Sequence, residues 1–141
     1  MRFWDSSAII PLIVNEASSA KVMRLLKEDR MIAVWWGTLV ECRSALSRIR
    51  REGLFTSKEE AHAVQLLLQL ENSWTELMPC DSLRDNAVRL LNLHSLRAAD
   101  ALQLSAALQW AGGPPAGCEF VCLDDRLSEA AVKEGFIVMP R

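Results

Sequence analysis

One feature constrains this chain more than any other: short, unbroken apolar runs alternate with longer segments of helical period. The runs are Phe3-Trp4 (extended to Arg2), Met31 to Trp36, Trp74 to Met78, Phe120 to Leu123 and Phe136 to Met139. Each is too short for an ordinary helix, and most are apolar at consecutive rather than alternate positions. Strands of that kind are buried on both faces, which is the habit of parallel sheets covered by helices.

The intervening segments carry helix signals. Ser6 or Ser7 is expected to cap a helix bearing Ala8, Ile9, Leu12 and Ile13, and a second helix is expected over Ser18 to Glu28. Thr38 with Glu41 reads as a capping box opening a helix through Arg51, closed by Gly53. Another helix runs from Thr56 or Ser57 to Glu71. Asp81 is expected to cap a helix carrying Leu83, Val88, Leu90 and Leu91, and Ser95 to cap one carrying Ala98, Ala101, Leu104 and Leu108. Gly112-Gly113-Pro114-Pro115 marks a loop, and Asp124 or Asp125 caps a short helix to Glu134 that ends at Gly135. The expected fold class is α/β, one domain over residues 1–141, with helices on both faces of a parallel sheet.

Composition narrows the function classes. With 141 residues, half of them apolar, the chain can bury a core without disulfide or metal staples. No run approaches the ~18 apolar residues of a membrane span, and Met1 to Asp5 is not a secretory leader, so a cytoplasmic location is expected. Sixteen basic against 18 acidic residues give a net charge of −2, which excludes attachment to nucleic acid by bulk charge alone. Cys42, Cys80, Cys118 and Cys122 form no C-x-x-C pair, and His62 and His94 are not their neighbours. Reduced thiols, buried or half-buried, are expected rather than a zinc site.

In parallel sheets ligands collect beyond the carboxyl ends of the strands. Asp5 follows the first apolar run, Glu41 lies one turn into the helix after the second, and Asp124 follows Phe120 to Leu123. These three acids share one sheet edge. A fourth, Asp100, sits among Ala98, Ala99, Ala101 and Leu102, where a buried carboxylate is costly without a positive partner. Each also has an ordinary role: Asp5 and Asp124 as helix caps, Glu41 in the capping box, Asp100 beside Arg97. Together they form a set of hard oxygen ligands suited to Mg²⁺ or Mn²⁺ and to phosphoryl chemistry.

Four segments, in order along the chain, resemble the motifs of PIN-domain nucleases. They are Phe3-Trp4-Asp5-Ser6-Ser7-Ala8, the stretch Thr38 to Leu46 around Glu41, His94 to Leu104 around Asp100, and Phe120 to Ala131 around Asp124. The format is similar to that of VapC-type toxins of toxin–antitoxin pairs. The resemblance implies a three-layer α/β/α PIN-like domain with a parallel sheet of about five strands, ordered like 3-2-1-4-5. It implies a metal-dependent endoribonuclease in which Asp5, Glu41, Asp100 and Asp124 are catalytic and hold Mg²⁺ (or Mn²⁺). It also implies a homodimer neutralised by a cognate antitoxin protein. Ser6 is then placed to hydrogen-bond a metal water or a carboxylate, and Asp125 to assist Asp124. One departure is Cys122, at a position where the family usually carries Ser or Thr, and a thiol is the poorer donor.

Arg43 and Arg50 are seven apart and lie on nearly the same face of the helix that bears Glu41, and Arg97 precedes Asp100 by one turn. Arg43 and Arg97 are candidate contacts for an RNA backbone or the antitoxin, whereas Arg48 and Arg51 read as a solvated face. The helix to Glu71 has a wide apolar surface through Ala61, Val64, Leu67 and Leu68, which suits a partner as well as a core. Two alternatives stand beside the toxin: a stand-alone RNA-processing PIN nuclease, and a non-catalytic RNA- or protein-binding PIN module.

Overall fold

The computed structural model describes residues 1–141. Twelve elements follow in order: β1 (Arg2–Trp4), α1 (Ser6–Ile13), α2 (Ser19–Glu28), β2 (Ile32–Trp35), α3 (Thr38–Arg51), α4 (Ser57–Glu71), β3 (Thr75–Leu77), α5 (Asp81–Leu93), α6 (Ala98–Ala111), β4 (Glu119–Val121), α7 (Asp125–Glu134) and β5 (Ile137–Met139). The five strands form one parallel sheet in the order β3-β2-β1-β4-β5. The expected fold class and strand order are both realised.

The unbroken apolar runs are explained by burial on two faces. Phe3, Ala33 and Phe120 turn to one side of the sheet and pack under α5, α6 and α7. Trp4, Val34 and Val121 turn to the other, under α1 to α4. The register Phe3↔Ala33, Phe3↔Phe120 and Trp4↔Val121 keeps like faces together. The rings of Phe3 and Phe120 lie 5.5 Å apart, and each buried ring contributes about 2–3 kcal/mol through lost apolar surface. Trp36 departs from the expected strand: it is exposed, just beyond β2.

At the amino end of β1, the buried Arg2 ties three elements together. Its guanidinium pairs with Glu119 of β4, with Glu28 of α2 at 3.1 Å, and with the Leu25 carbonyl at 2.6 Å. That end of the sheet is closed by ion pairs; the carboxyl end is not. α4 opens with a reciprocal capping box between Thr56 and Glu59, and it buries Ala63 and Leu67 while leaving Leu68 exposed. No helix is long and apolar enough to cross a membrane.

Candidate active site

The chain runs from β1 outward through β2 to β3, then returns to place β4 on the other side of β1. The strand order therefore reverses between β1 and β4, where an open parallel sheet leaves a crevice at its carboxyl end. Asp5 ends β1 at that point and is only 4% exposed. Its Oδ2 accepts from the Ser7 amide at 3.0 Å, so Asp5 itself caps α1 in place of Ser6 or Ser7. The two serines are thereby released for other contacts. Ser6 Oγ donates to Glu41 Oε2 at 2.7 Å, and Ser7 Oγ accepts from the Leu123 amide at 2.9 Å, pinning the end of β4 to α1.

The expected capping box of α3 does not form. Gly37 occupies the cap position with no side-chain bond, and Thr38 is a fully buried first helical residue. Only glycine fits there, because a Cβ at Gly37 would lie 2.4 Å from Trp35 Nε1. Glu41 is instead turned into the crevice, held by Ser6 and by Gln103 of α6. Gln103 Nε2 lies 3.1 Å from Thr38 Oγ1 and 3.3 Å from each Glu41 oxygen. Gln103 is completely buried and its own Oε1 has no partner. It escaped the sequence reading; the available signal was an amide one turn after Asp100 in an otherwise apolar, alanine-rich helix.

Asp100 and Asp124 complete the rim. Asp100 is half-buried on the first turn of α6, not enclosed in apolar surroundings as its neighbours suggested. The cap position of that helix is Arg97, not Ser95, and the Arg97 amide donates to Asp100 Oδ2 at 3.3 Å. Asp124 caps α7, its Oδ1 accepting from the Leu127 amide at 2.7 Å while Oδ2 has no protein partner. Asp125 is an exposed first residue of α7 outside the crevice. Asp81 is likewise a first helical residue, following Cys80 at the cap position of α5. Thus Asp5 and Asp124 do cap helices, but each uses one oxygen for the cap.

A cavity of about 650 Å³ joins these groups: Asp5, Glu41, Asp100 and Asp124 all line it. None of the four takes part in a salt bridge. Burial pushes the Asp5 carboxyl above its ordinary range; the Ser6 and Ser7 hydrogen bonds oppose this, and the charge of Asp100 adds to it. Burial also raises Glu41, with the charges of Asp5 and Asp100 reinforcing the effect against the hydrogen bonds from Ser6 and Gln103. Asp5, Glu41 and Asp100 thus repel one another across a partly dry space with no positive partner, and Asp124 stands exposed at its rim.

The cationic expectations change. Arg43 and Arg97 are exposed and outside the cavity, whereas Arg48, expected on a solvated face, lines it. Glu16 and Glu52, not singled out from sequence, line its outer part. Cys122 is buried, with Sγ 3.8 Å from Asp5 Oδ2, 3.8 Å from Ser7 Oγ and 3.5 Å from the Asp124 carbonyl. Those are loose contacts, and burial with the nearby Asp5 charge drives its thiol up to about 12. It stands behind Asp5 as a neutral filler. Cys80 departs from the expectation for the thiols, being exposed.

The donor set suits a hard divalent cation: carboxylate and hydroxyl oxygens, repelling and unpaired, with no soft ligand ionised beside them. No three Asp, Glu, His or Cys side chains, the four acids included, are grouped closely enough to hold a metal ion as a protein cage. Mg²⁺ is normally bound without one, through one or two carboxylates, retained waters and substrate phosphate.

No family model matches the sequence, and no curated protein matches it. Solved structures do match in shape. One is the VapC20 toxin of Mycobacterium tuberculosis, which cleaves the sarcin–ricin loop: TM-score 0.67, 18% identity, covering 97% of each chain. A Pyrobaculum aerophilum protein gives a TM-score of 0.69 at 21% identity, over 96% of this chain and 81% of that one. FitAcB of Neisseria gonorrhoeae gives 0.67 at 14% identity, over 99% and 97%. The fold of this chain is the PIN-like three-layer α/β/α arrangement that the motifs implied.

Proposed function

We propose that this chain is a Mg²⁺- or Mn²⁺-dependent endoribonuclease, the toxin of a VapBC-type pair. The observation that carries the reading is the convergence of Asp5, Glu41, Asp100 and Asp124, from four separate places in the chain, on one cavity that brings none of them a salt-bridge partner. The shape likeness to a toxin that cleaves the sarcin–ricin loop supports RNA as the substrate class.

A divalent cation at this place supplies Lewis-acid chemistry, polarising a phosphodiester and generating a nucleophile from water at neutral pH. One or two of the carboxylates of Asp5, Glu41, Asp100 and Asp124, with retained waters and the substrate phosphate, would hold it. Ser6 and Gln103 fix the angle of Glu41, so that its carboxylate is already oriented before substrate arrives. Asp5 is locked by the Ser7 amide and backed by Cys122, which excludes water from behind it. A carboxylate oxygen of the rim accepts the proton of the attacking water.

The same reading brings an antitoxin, a homodimer and a cytoplasmic location. An apolar groove between α2 and α4, lined by Met23, Leu26, Leu66 and Leu70, supports a protein partner. The absence of a closed cage favours, as second reading, a PIN module that binds RNA without cutting it.

Purified protein incubated with labelled RNA separates the two. Cleavage is expected with Mg²⁺ or Mn²⁺, none with chelator, and none by Asp5→Asn or Asp100→Asn. Asparagine caps helices as well as aspartate does, so Asp5→Asn keeps its fold and loses no thermal stability. Tight binding without cleavage at any metal concentration would select the binding module.

A further inference from the structure

The α3 wall of the cavity is a single helical face. Glu41, Ser44, Ala45, Arg48, Ile49 and Glu52 all line it, at the three- and four-residue spacings that stack side chains along one side of a helix. The chemistry changes along that face. Glu41 is rooted at the sheet edge by Ser6 and Gln103. Ser44 follows one turn out, and Arg48 two turns out, about 4.5 Å and about 10.5 Å further along the axis at ordinary helical rise.

Arg48 is the one cation of a cavity whose other charged residues are Asp5, Glu16, Glu41, Glu52, Asp100 and Asp124. It is exposed and in no ion pair, although Glu16 and Glu52 line the same outer region; two residues on, Arg50 is committed to Glu60 at 3.2 Å. A phosphate beyond the reach of a cation at the inner carboxylates is repelled by every other charged group of the cavity. The guanidinium is the exception, and its planar fork matches phosphate geometry.

We propose that Arg48, with the Ser44 hydroxyl, forms a subsite for the backbone phosphate next to the one that is cut, so that a single strand of RNA runs up α3 from the inner carboxylates. The subsite rests on the nuclease reading above. It makes Arg48 a substrate-binding residue that reads backbone rather than base.

The test uses the full chain carrying Asp100→Asn, in Mg²⁺, with fluorescent single-stranded RNA. Adding Arg48→Gln weakens binding about 3- to 10-fold and reduces the slope of log affinity against log salt by about 0.7, the share of one phosphate contact in a single strand. Arg48→Lys restores the slope. Arg43→Gln, outside the cavity, does not share the next effect. With oligonucleotides each carrying one methylphosphonate, neutralising the phosphate beside the mapped cleavage site weakens binding as Arg48→Gln does, and adds nothing in that variant. In the otherwise active enzyme, Arg48→Gln raises KM by the same factor and leaves kcat within about twofold. An unchanged slope and KM, or a loss coupled to no single phosphate, overturns the subsite while cleavage by the parent protein leaves the nuclease reading standing. A parent protein that neither binds nor cuts RNA overturns both.

Discussion

Gln103→Met separates the stability of this fold from its chemistry. The parent amide uses one Nε2 hydrogen for Thr38 Oγ1 at 3.1 Å and shares the other between the two Glu41 oxygens at 3.3 Å. The neutral bond contributes about 1 kcal/mol and the shared, charge-assisted one about 1.5 to 2 kcal/mol, given its length. Against this stands the buried Oε1 without a partner, whose desolvation costs about 1–3 kcal/mol. The amide cannot turn over to relieve it, because its oxygen would then face the Glu41 carboxylate. Methionine keeps the unbranched outline and removes both the donor and the orphan acceptor. The net loss is about 1 kcal/mol, which lowers Tm by about 3–5 °C for a domain of this size.

The functional loss is larger. Glu41 keeps only the Ser6 bond, and its carboxylate swings about that single anchor. Removing a group that orients a metal ligand typically costs 10- to 100-fold in metal affinity or rate. Cleavage of labelled RNA across a Mg²⁺ titration therefore shows an apparent metal requirement raised by that factor, while differential scanning calorimetry shows the small shift in Tm. Gln103→Met with an unchanged metal requirement would refute the assignment of Gln103 as the residue that positions Glu41. A Tm loss above about 10 °C would refute the compensation by the orphan oxygen.

Two further outcomes follow from the ionisable groups. In native-state alkylation read by mass spectrometry, Cys80 reacts first: it is exposed, and hydrogen bonds from Ser82 and the Leu83 amide hold its thiol below the ordinary range. Cys42 and Cys122, both raised by burial, the latter to about 12, react only on unfolding. At the α5–α7 contact, partial burial works to raise Glu134, but hydrogen bonds from His94 at 2.7 Å and Arg89 at 3.1 Å outweigh it and hold the carboxyl below its usual range. Its contribution, about 1 kcal/mol at most after solvent screening, is present above the unfolded carboxyl value of about 4.3 and is lost as pH falls through the lower folded value. The Tm difference between the parent and Glu134→Gln thus shrinks as pH falls below the unfolded carboxyl value and vanishes once the folded carboxyl is protonated.

The layers and the sheet were legible because double burial writes itself into consecutive apolar positions, as at Ile32 to Trp35. Asp5, Glu41 and Asp124 were legible because a parallel sheet sends the ends of its strands to one edge, and Asp100 because a carboxylate stands out among alanines. Finer assignments failed where one residue type serves two purposes. Asp5 and Asp124 each cap a helix with one oxygen and also line the cavity, so cap and cavity wall were never alternatives. The Thr38–Glu41 pattern has the spacing of a capping box, but burial of Thr38 against Gln103 removes it from that duty. Arg48 was readable: it lies seven residues after Glu41 and hence on its face of α3. Counting periodicity from Arg43 instead of from the acid selected the wrong stripe.

The distribution of charge bears on function more than its total of −2 does. If Asp5 and Glu41, the most enclosed of the four acids, were structural, the fold would bring them cations, since an unpaired buried carboxylate destabilises it. Cations are available and are placed elsewhere: Arg2 on Glu28 and Glu119, Arg50 on Glu60, Arg89 on Glu134. The cavity receives Arg48 alone, on its outer wall, and Asp5 remains 4% exposed with no positive neighbour in contact. Such an arrangement costs stability in the free protein, and on the proposed reading a cation from solution recovers that cost. A divalent ion offsets two of the inner charges and reverses the repulsion that a phosphodiester would otherwise meet there. On that reading cation binding precedes productive binding of RNA at the inner site, while the proposed Arg48 subsite holds its phosphate without it. With the cation withheld, weak RNA binding that depends on Arg48 but not on Asp100 follows directly from this separation.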